Sequence, residues 1–241
     1  MAQGSNVASV STVFYPGSHR IKADLVFSSS DSVLFFLHSH VVVPATKNAF
    51  GHLLSKPRSA QSFSVKTINI PETSDVLNVI VHALYGMSCV PQSPTFETLF
   101  TAVNQLPFYG IDPKVHITPT KPIFSHLLSF APIHPLEVYI IAGHFDLYDL
   151  AVPTSSHLLS VNPSSINDDL AERIGPVYLK HLFCLHMNRT STLKKILLSP
   201  PYPHPATPEC PFAQQRKLAK AWVLAAGYLV WKARVGWCWT S

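Results

Sequence analysis

The chain has 241 residues, of which 47% are hydrophobic and only 13% charged, with a formal net charge of +5. That composition excludes an intrinsically disordered chain and supplies enough apolar area for one large core or two small ones. The cations are scattered, with "LKK" at 193–195 and "QRK" at 215–217 the densest runs, so no dense nucleic-acid patch is expected, while so little charge leaves apolar surface for a partner.

Residues 1–19 are Ser-rich and irregular, without the basic and apolar regions of a secretory signal. Cys89, Cys184, Cys210 and Cys238 form no CxxC pair. Reduced thiols and a cytoplasmic or nuclear location are the expectation.

A hairpin follows. Residues 25–27 and 33–37 are apolar and partly β-branched, and "SSSDS" between them supplies a turn. Pro44 is expected to close the second strand, and "ATKNAFGHLL" to form a short helix with Ala45, Ala49, Phe50 and Leu53 on one face. "FSVKTINIP" alternates well enough for a strand. Thr73, Ser74 and Asp75 can cap a helix whose stripe is Val76, Val79, Ile80, Ala83, Leu84 and Met87. The next helix starts at Ser93 and Pro94, buries Phe96, Leu99, Phe100, Val103 and Leu106, and ends near Pro107.

From Ile111 onward strand signals stop. Residues 134–152, 168–174, 175–188, 191–198 and 214–234 read as helices. Residues 199–211 hold six prolines and form an extended loop. The most apolar late stretch, residues 221–231, is 11 residues long, where a membrane span needs roughly 20. The terminal helix, with Leu218, Trp222, Ala225, Ala226 and Leu229 on one stripe, is expected to be a buried lid packed on residues 175–186. Strands first and helices afterwards place the chain in the α+β class.

Two histidine groups suit metal chemistry by residue type. His38 and His40 sit two apart and would share one face of a strand, but a closed site needs three or four ligands. His181 and Cys184 are three apart and share a helix face, His186 is turned away from Cys184, and His204 and Cys210 lie in the proline loop. These spacings match no zinc finger. Catalytic signatures such as G-x-S-x-G, the P-loop and G-x-G-x-x-G are absent. Ser125–His126 and Ser156–His157 are mere sequence neighbours, and triad members converge in space. No catalytic, cofactor or metal residue is therefore assigned.

Several motifs fall in a familiar order. Asp24, Phe35 and His38 mark the hairpin; Phe50 and Leu53 the following helix; Leu84, Tyr85 and Gly86 a Leu-Tyr-Gly helix end; Tyr109, Gly110 and Ile111 the end of the next helix. Residues 20–112 resemble a BTB/POZ domain. Residues 113–241 are similar to the helical extension of BTB proteins common in fungi, with residues 135–151 as its helix pair.

The resemblance implies a small sheet flanked by helices, followed by an all-helical region. It also implies a non-enzymatic module that binds a protein partner or a second copy of itself. His38 would be structural. A cullin-type ligase link is less favoured, because Leu54, Ser55 and Lys56 put a cation where the family's acid stands. The exchanged family dimer uses an amphipathic N-terminal helix, for which residues 1–19 show no stripe. No nucleic acid and no membrane partner is expected. The alternative is a metal-dependent or hydrolytic enzyme on an unrecognised helical fold.

Overall fold

The computed structural model describes residues 9–54 and 67–232. Four short strands form one sheet: β1 (Ser9–Val10), β2 (Leu25–Ser28), β3 (Val33–Leu37) and β4 (Thr67–Asn69). Their spatial order is β1-β3-β2-β4. The hairpin pairs Phe27 with Phe35 antiparallel, and β4 lies parallel to β2 with Ile68 opposite Phe27. The edge strand β1 runs parallel to β3. The irregular N-terminal segment thus joins the sheet, and Phe14 just after β1 is fully buried against Phe35 and Tyr85.

The hairpin turn is built from serines. The Ser29 hydroxyl accepts from the Val33 amide, and Ser32 takes a left-handed conformation (φ 64°). Asp31 at the tip then reaches outward. Its carboxylate accepts from the backbone N–H and hydroxyl of Ser74 at 2.9 and 2.6 Å. This caps α2 (Ser74–Tyr85), whose N-cap residue Thr73 makes no side-chain cap bond. The cap expected from local residues comes instead from 43 positions upstream. Burial raises the Asp31 carboxyl, but hydrogen bonds from Ser29 and Ser74 outweigh it and hold it below the usual carboxylate range.

Two sequence expectations change between β3 and β4. Pro44 does not close β3; it lies inside α1 (Ser39–Ala45). "ATKNAFGHLL" is not a right-handed helix. Ala49, Phe50, Gly51 and His52 all have φ between 50° and 64°. Left-handed backbone costs L-residues about 1–2 kcal/mol each. Several contacts oppose that cost. Phe50 is fully buried, 4.2 Å from the Tyr109 ring and 4.7 Å from Phe27, and burying a Phe contributes roughly 1.5–3 kcal/mol. The Asn48 carboxamide accepts from Gly51 N–H and donates to the Phe108 carbonyl, both within 2.9 Å. Gly110 makes this possible: a Cβ there would stand 2.3 Å from Asn48 Oδ1. Residues 63–66 of the expected strand lie outside the described residues, as do Ser55 and Lys56; 67–69 is strand.

Helix α2 is buried nearly all round, with Leu77, Val81 and His82 added to the expected stripe, and ends on Gly86 in the left-handed conformation. Leu84 and His38 are buried, as expected; Tyr85 is half-buried. Helix α3 spans Phe96–Gln105. Its cap is Thr95, whose hydroxyl accepts from Thr98 N–H, rather than Ser93. Ser93 instead closes a 3-10 turn at Val90–Gln92. The expected face is inward, with Phe100 half-buried.

Among the described residues no strand follows Asn69, so the fold is α+β. Helices α4 (Pro113–His116) and α5 (Pro122–Phe130) were not anticipated by periodicity. Then come α6 (Pro135–His144), α7 (Tyr148–Ser155), α8 (Asp168–Ile174), α9 (Pro176–Leu198) and α10 (Phe212–Lys232). The two segments expected at 175–188 and 191–198 are one 23-residue helix. Thr190 bonds back to the His186 carbonyl, so the polar stretch between them does not break it. One apolar core runs from Phe14 to Leu182 without a break at residue 112. Helix α10 contributes nothing to it.

The expected lid is therefore corrected. Helix α10 packs on α9, with the Trp222 indole donating to the Leu197 carbonyl at 3.0 Å. That contact lies at the far end of α9 from residues 175–186, and only Ala226 is buried along the helix. Leu218, Val223, Leu224, Tyr228 and Trp231 are exposed. Of the small residues at 225–227 only Ala226 is buried, while Ala225 and Gly227 face open space, and among the described residues no second helix covers the other side of α10.

Candidate functional site

The strand-to-helix junction at His38 is the best organised polar group in the structure. His38 is the N-cap residue of α1, and His40 lies in that helix's first turn and is exposed. The two are therefore not on one strand face, because β3 ends at Leu37. His38 Nδ1 lies 2.9 Å from the Tyr85 hydroxyl, which also accepts from the His38 backbone N–H. His38 Nε2 lies 2.8 Å from the Ile21 carbonyl, an acceptor only, so Nε2 carries the proton. Tyr85 O–H then donates to Nδ1. Burial and the charge of Asp24 outweigh the lowering effect of the hydrogen bond from the His38 amide and push the Tyr85 hydroxyl up to about 12, so it stays a donor at neutral pH. Asp24 completes the junction by accepting from Ser39 N–H at 2.8 Å and from its hydroxyl.

His19 adds a third imidazole that its sequence position, in the segment read as irregular, did not point to. Its ring is 5.1 Å from His38, and His38 is 5.4 Å from His40. The three line a shallow groove of about 240 Å³ with Ile21, Val41 and Tyr85. Both nitrogens of His38 are spent on Tyr85 and Ile21, so it has no lone pair for a metal. The second histidine group does not assemble. His181 and Cys184 are exposed in a groove of about 350 Å³ between α6, α7 and α9, shared with Tyr139, Tyr148 and Tyr178. His186 faces inward, fully buried, and burial holds its imidazole below the ordinary range. His204 and Cys210 line a different cavity at the α9–α10 loop. Among the described residues no group of three or more His, Cys, Asp or Glu is placed to hold a metal ion.

One thiol–imidazole contact was invisible in the sequence. Cys89 Sγ lies 3.3 Å from His126 Nδ1. Nucleophilic catalysis would need the thiolate and the imidazolium. Here burial pushes the Cys89 thiol up and the His126 imidazole down, so both stay neutral. Both side chains are in the core, and His126 stacks on Phe130. The pair is packing. Ser125 is exposed while His126 is buried, so the two point apart; Ser156 donates to the Pro153 carbonyl in its own helical turn.

Among the described residues no helix is long and apolar enough to cross a membrane. No family model, no curated protein and no solved structure matches this chain.

Proposed function

We propose that this chain is a non-enzymatic protein–protein interaction module of BTB/POZ type, acting as a scaffold or adaptor in the cytoplasm or nucleus. The observation that carries the reading is where the residues of the resemblance meet. Asp24 caps α1, His38 bonds Tyr85 across 47 positions, and Phe50 stacks on Tyr109. Each pair ties together elements distant in sequence. These residues act as framework that holds distant elements together, which suits an interaction domain. Around that framework Ile21, Val43, Phe108 and Val115 are exposed apolar side chains, suited to a protein partner or a second copy. A cullin-type link is the unsupported form of the reading, because Lys56 reverses the charge where that contact uses an acid.

The test combines sedimentation analysis of the purified chain with proximity labelling in its native cell and elemental analysis. Concentration-dependent self-association, or a reproducible labelled protein lost on Phe108→Asp, is expected. A strict monomer with no reproducible partner, or stoichiometric zinc, overturns the reading in favour of an enzyme.

A further inference from the structure

Residues 199–205, Ser-Pro-Pro-Tyr-Pro-His-Pro, leave α9 and lead toward α10. Every residue of this stretch is a proline or stands immediately before one. Proline holds φ near about −65°, and a residue before proline is driven out of the helical region into extended or polyproline backbone. The segment is therefore extended by covalent sterics alone. It needs no packing to hold its shape, and it receives little. Residues 200–206 have no regular secondary structure, residues 199–209 are all exposed, and Tyr202 is 97% exposed. A cavity of about 420 Å³ lies between the segment and Phe212, Arg216 and Leu218 of α10. With three residues per polyproline turn, Pro200 and Pro203 share one ridge, and Tyr202 and Pro205 share the next.

Charge adds a second feature. Residues 176–232 carry eight Lys and Arg against a single acid, Glu209, whereas the rest of the chain carries ten against twelve. Lys194, Lys195 and Arg216 flank the proline segment. A second copy presenting the same cations would be repelled. Nucleic acid would engage the cations but has no groove for a proline ridge.

We propose that residues 199–205 are a docking ligand for a protein module with an aromatic-lined, polyproline-reading groove bordered by acidic side chains. The rings take the Pro200–Pro203 ridge, and the acids meet Lys194, Lys195 and Arg216. Because the ligand is already extended, binding orders little backbone. The inference does not depend on the fold or role of residues 20–112.

The test titrates the full-length chain, by fluorescence anisotropy, with an array of purified Src-homology-3 and WW domains, at low and physiological salt. At least one domain is expected to bind at micromolar concentration, and the double variant Pro200→Ala, Pro203→Ala to weaken it about tenfold or more. Lys194→Gln with Lys195→Gln should slow association and flatten its salt dependence. The proline variant leaves the core untouched, so an unchanged thermal transition shows that it folds. No binding by any domain overturns the proposal. So does binding that survives the proline variant, which would assign it to charge alone, and so does binding to phosphatidylserine vesicles but to none of the domains.

Discussion

His38 and Tyr85 fix each other's donor and acceptor roles. The Tyr85 oxygen accepts from the His38 amide and donates to Nδ1, while Nε2–H donates to the Ile21 carbonyl. Tyr85→Phe removes both bonds and leaves a buried amide and a buried ring nitrogen without partners. The expected cost is about 1–3 kcal/mol in chemical denaturation. Nitrogen-detected NMR should find the His38 proton on Nε2 in the native protein. A loss below about 0.5 kcal/mol, the size of an ordinary surface change, would dissolve the argument.

Acid should destabilise the fold well above the carboxylate range. Burial holds His82, His116, His126 and His186 below their ordinary value of 6.5. The unfolded chain takes up protons near 6.5, while the native state takes them up only at lower pH. Below 6.5 the unfolded state therefore binds more protons, and stability falls with pH. It is fully present above 6.5 and is lost as pH drops through the lower native values. Melting temperatures at pH 7.5, 6.5 and 5.5 should decline, most steeply over the last step. A flat or rising series would show that these imidazoles are not desolvated. Asp31, Asp112 and Asp146, all held below 3.8, add their loss only in stronger acid.

Two glycines in helices should respond oppositely to alanine. At Gly143 in α6 a Cβ would stand 2.4 Å from the Ile174 carbonyl at the end of α8, a backbone atom that cannot swing aside. Gly143→Ala must push the two helices apart, an overpacking that costs typically about 1–3 kcal/mol. At Gly227 in α10 nothing lies within 4 Å. Gly227→Ala should raise the helicity of α10, by up to about 1 kcal/mol of local stability. Denaturation of the first and hydrogen exchange of the second would check the pair; equal effects would contradict the packing of α6 on α8.

What was legible in the sequence was whatever depends on near neighbours. The stripes of α2 and α3 followed from period alone, and the hairpin from β-branched runs around serines. What was not legible depends on distant groups. Asp31 caps a helix 43 residues away, and the left-handed run 49–52 rests on Asn48 meeting Phe108 and Gly110. Neither leaves a local trace. His19, in a stretch without periodicity, joined His38 only through the fold. The apolar stripe of α10 misled for a related reason: periodicity shows which residues share a face, not whether anything covers it.

A buried lid would be needed for folding; a helix packed on α9 alone is not. The core cluster ends at Leu182, and no residue of α10 belongs to it. Leu99 in α3 is fully buried and Leu224 in α10 is 76% exposed. Leu99→Ala should cost about 2–5 kcal/mol, and Leu224→Ala should stay within about 0.5 kcal/mol of native. Deleting residues 212–241 should keep one cooperative thermal transition, because α2, α3 and α5 to α8 retain all their contacts with one another. The last turns of α9, around Ile196 and Leu197, should fray and lose amide protection once Trp222 no longer bonds the Leu197 carbonyl. Circular dichroism and hydrogen exchange of the truncated chain separate the two arrangements: loss of the main transition would restore the lid, whereas a retained transition with fraying confined to the end of α9 fits a helical hairpin projecting from a finished core.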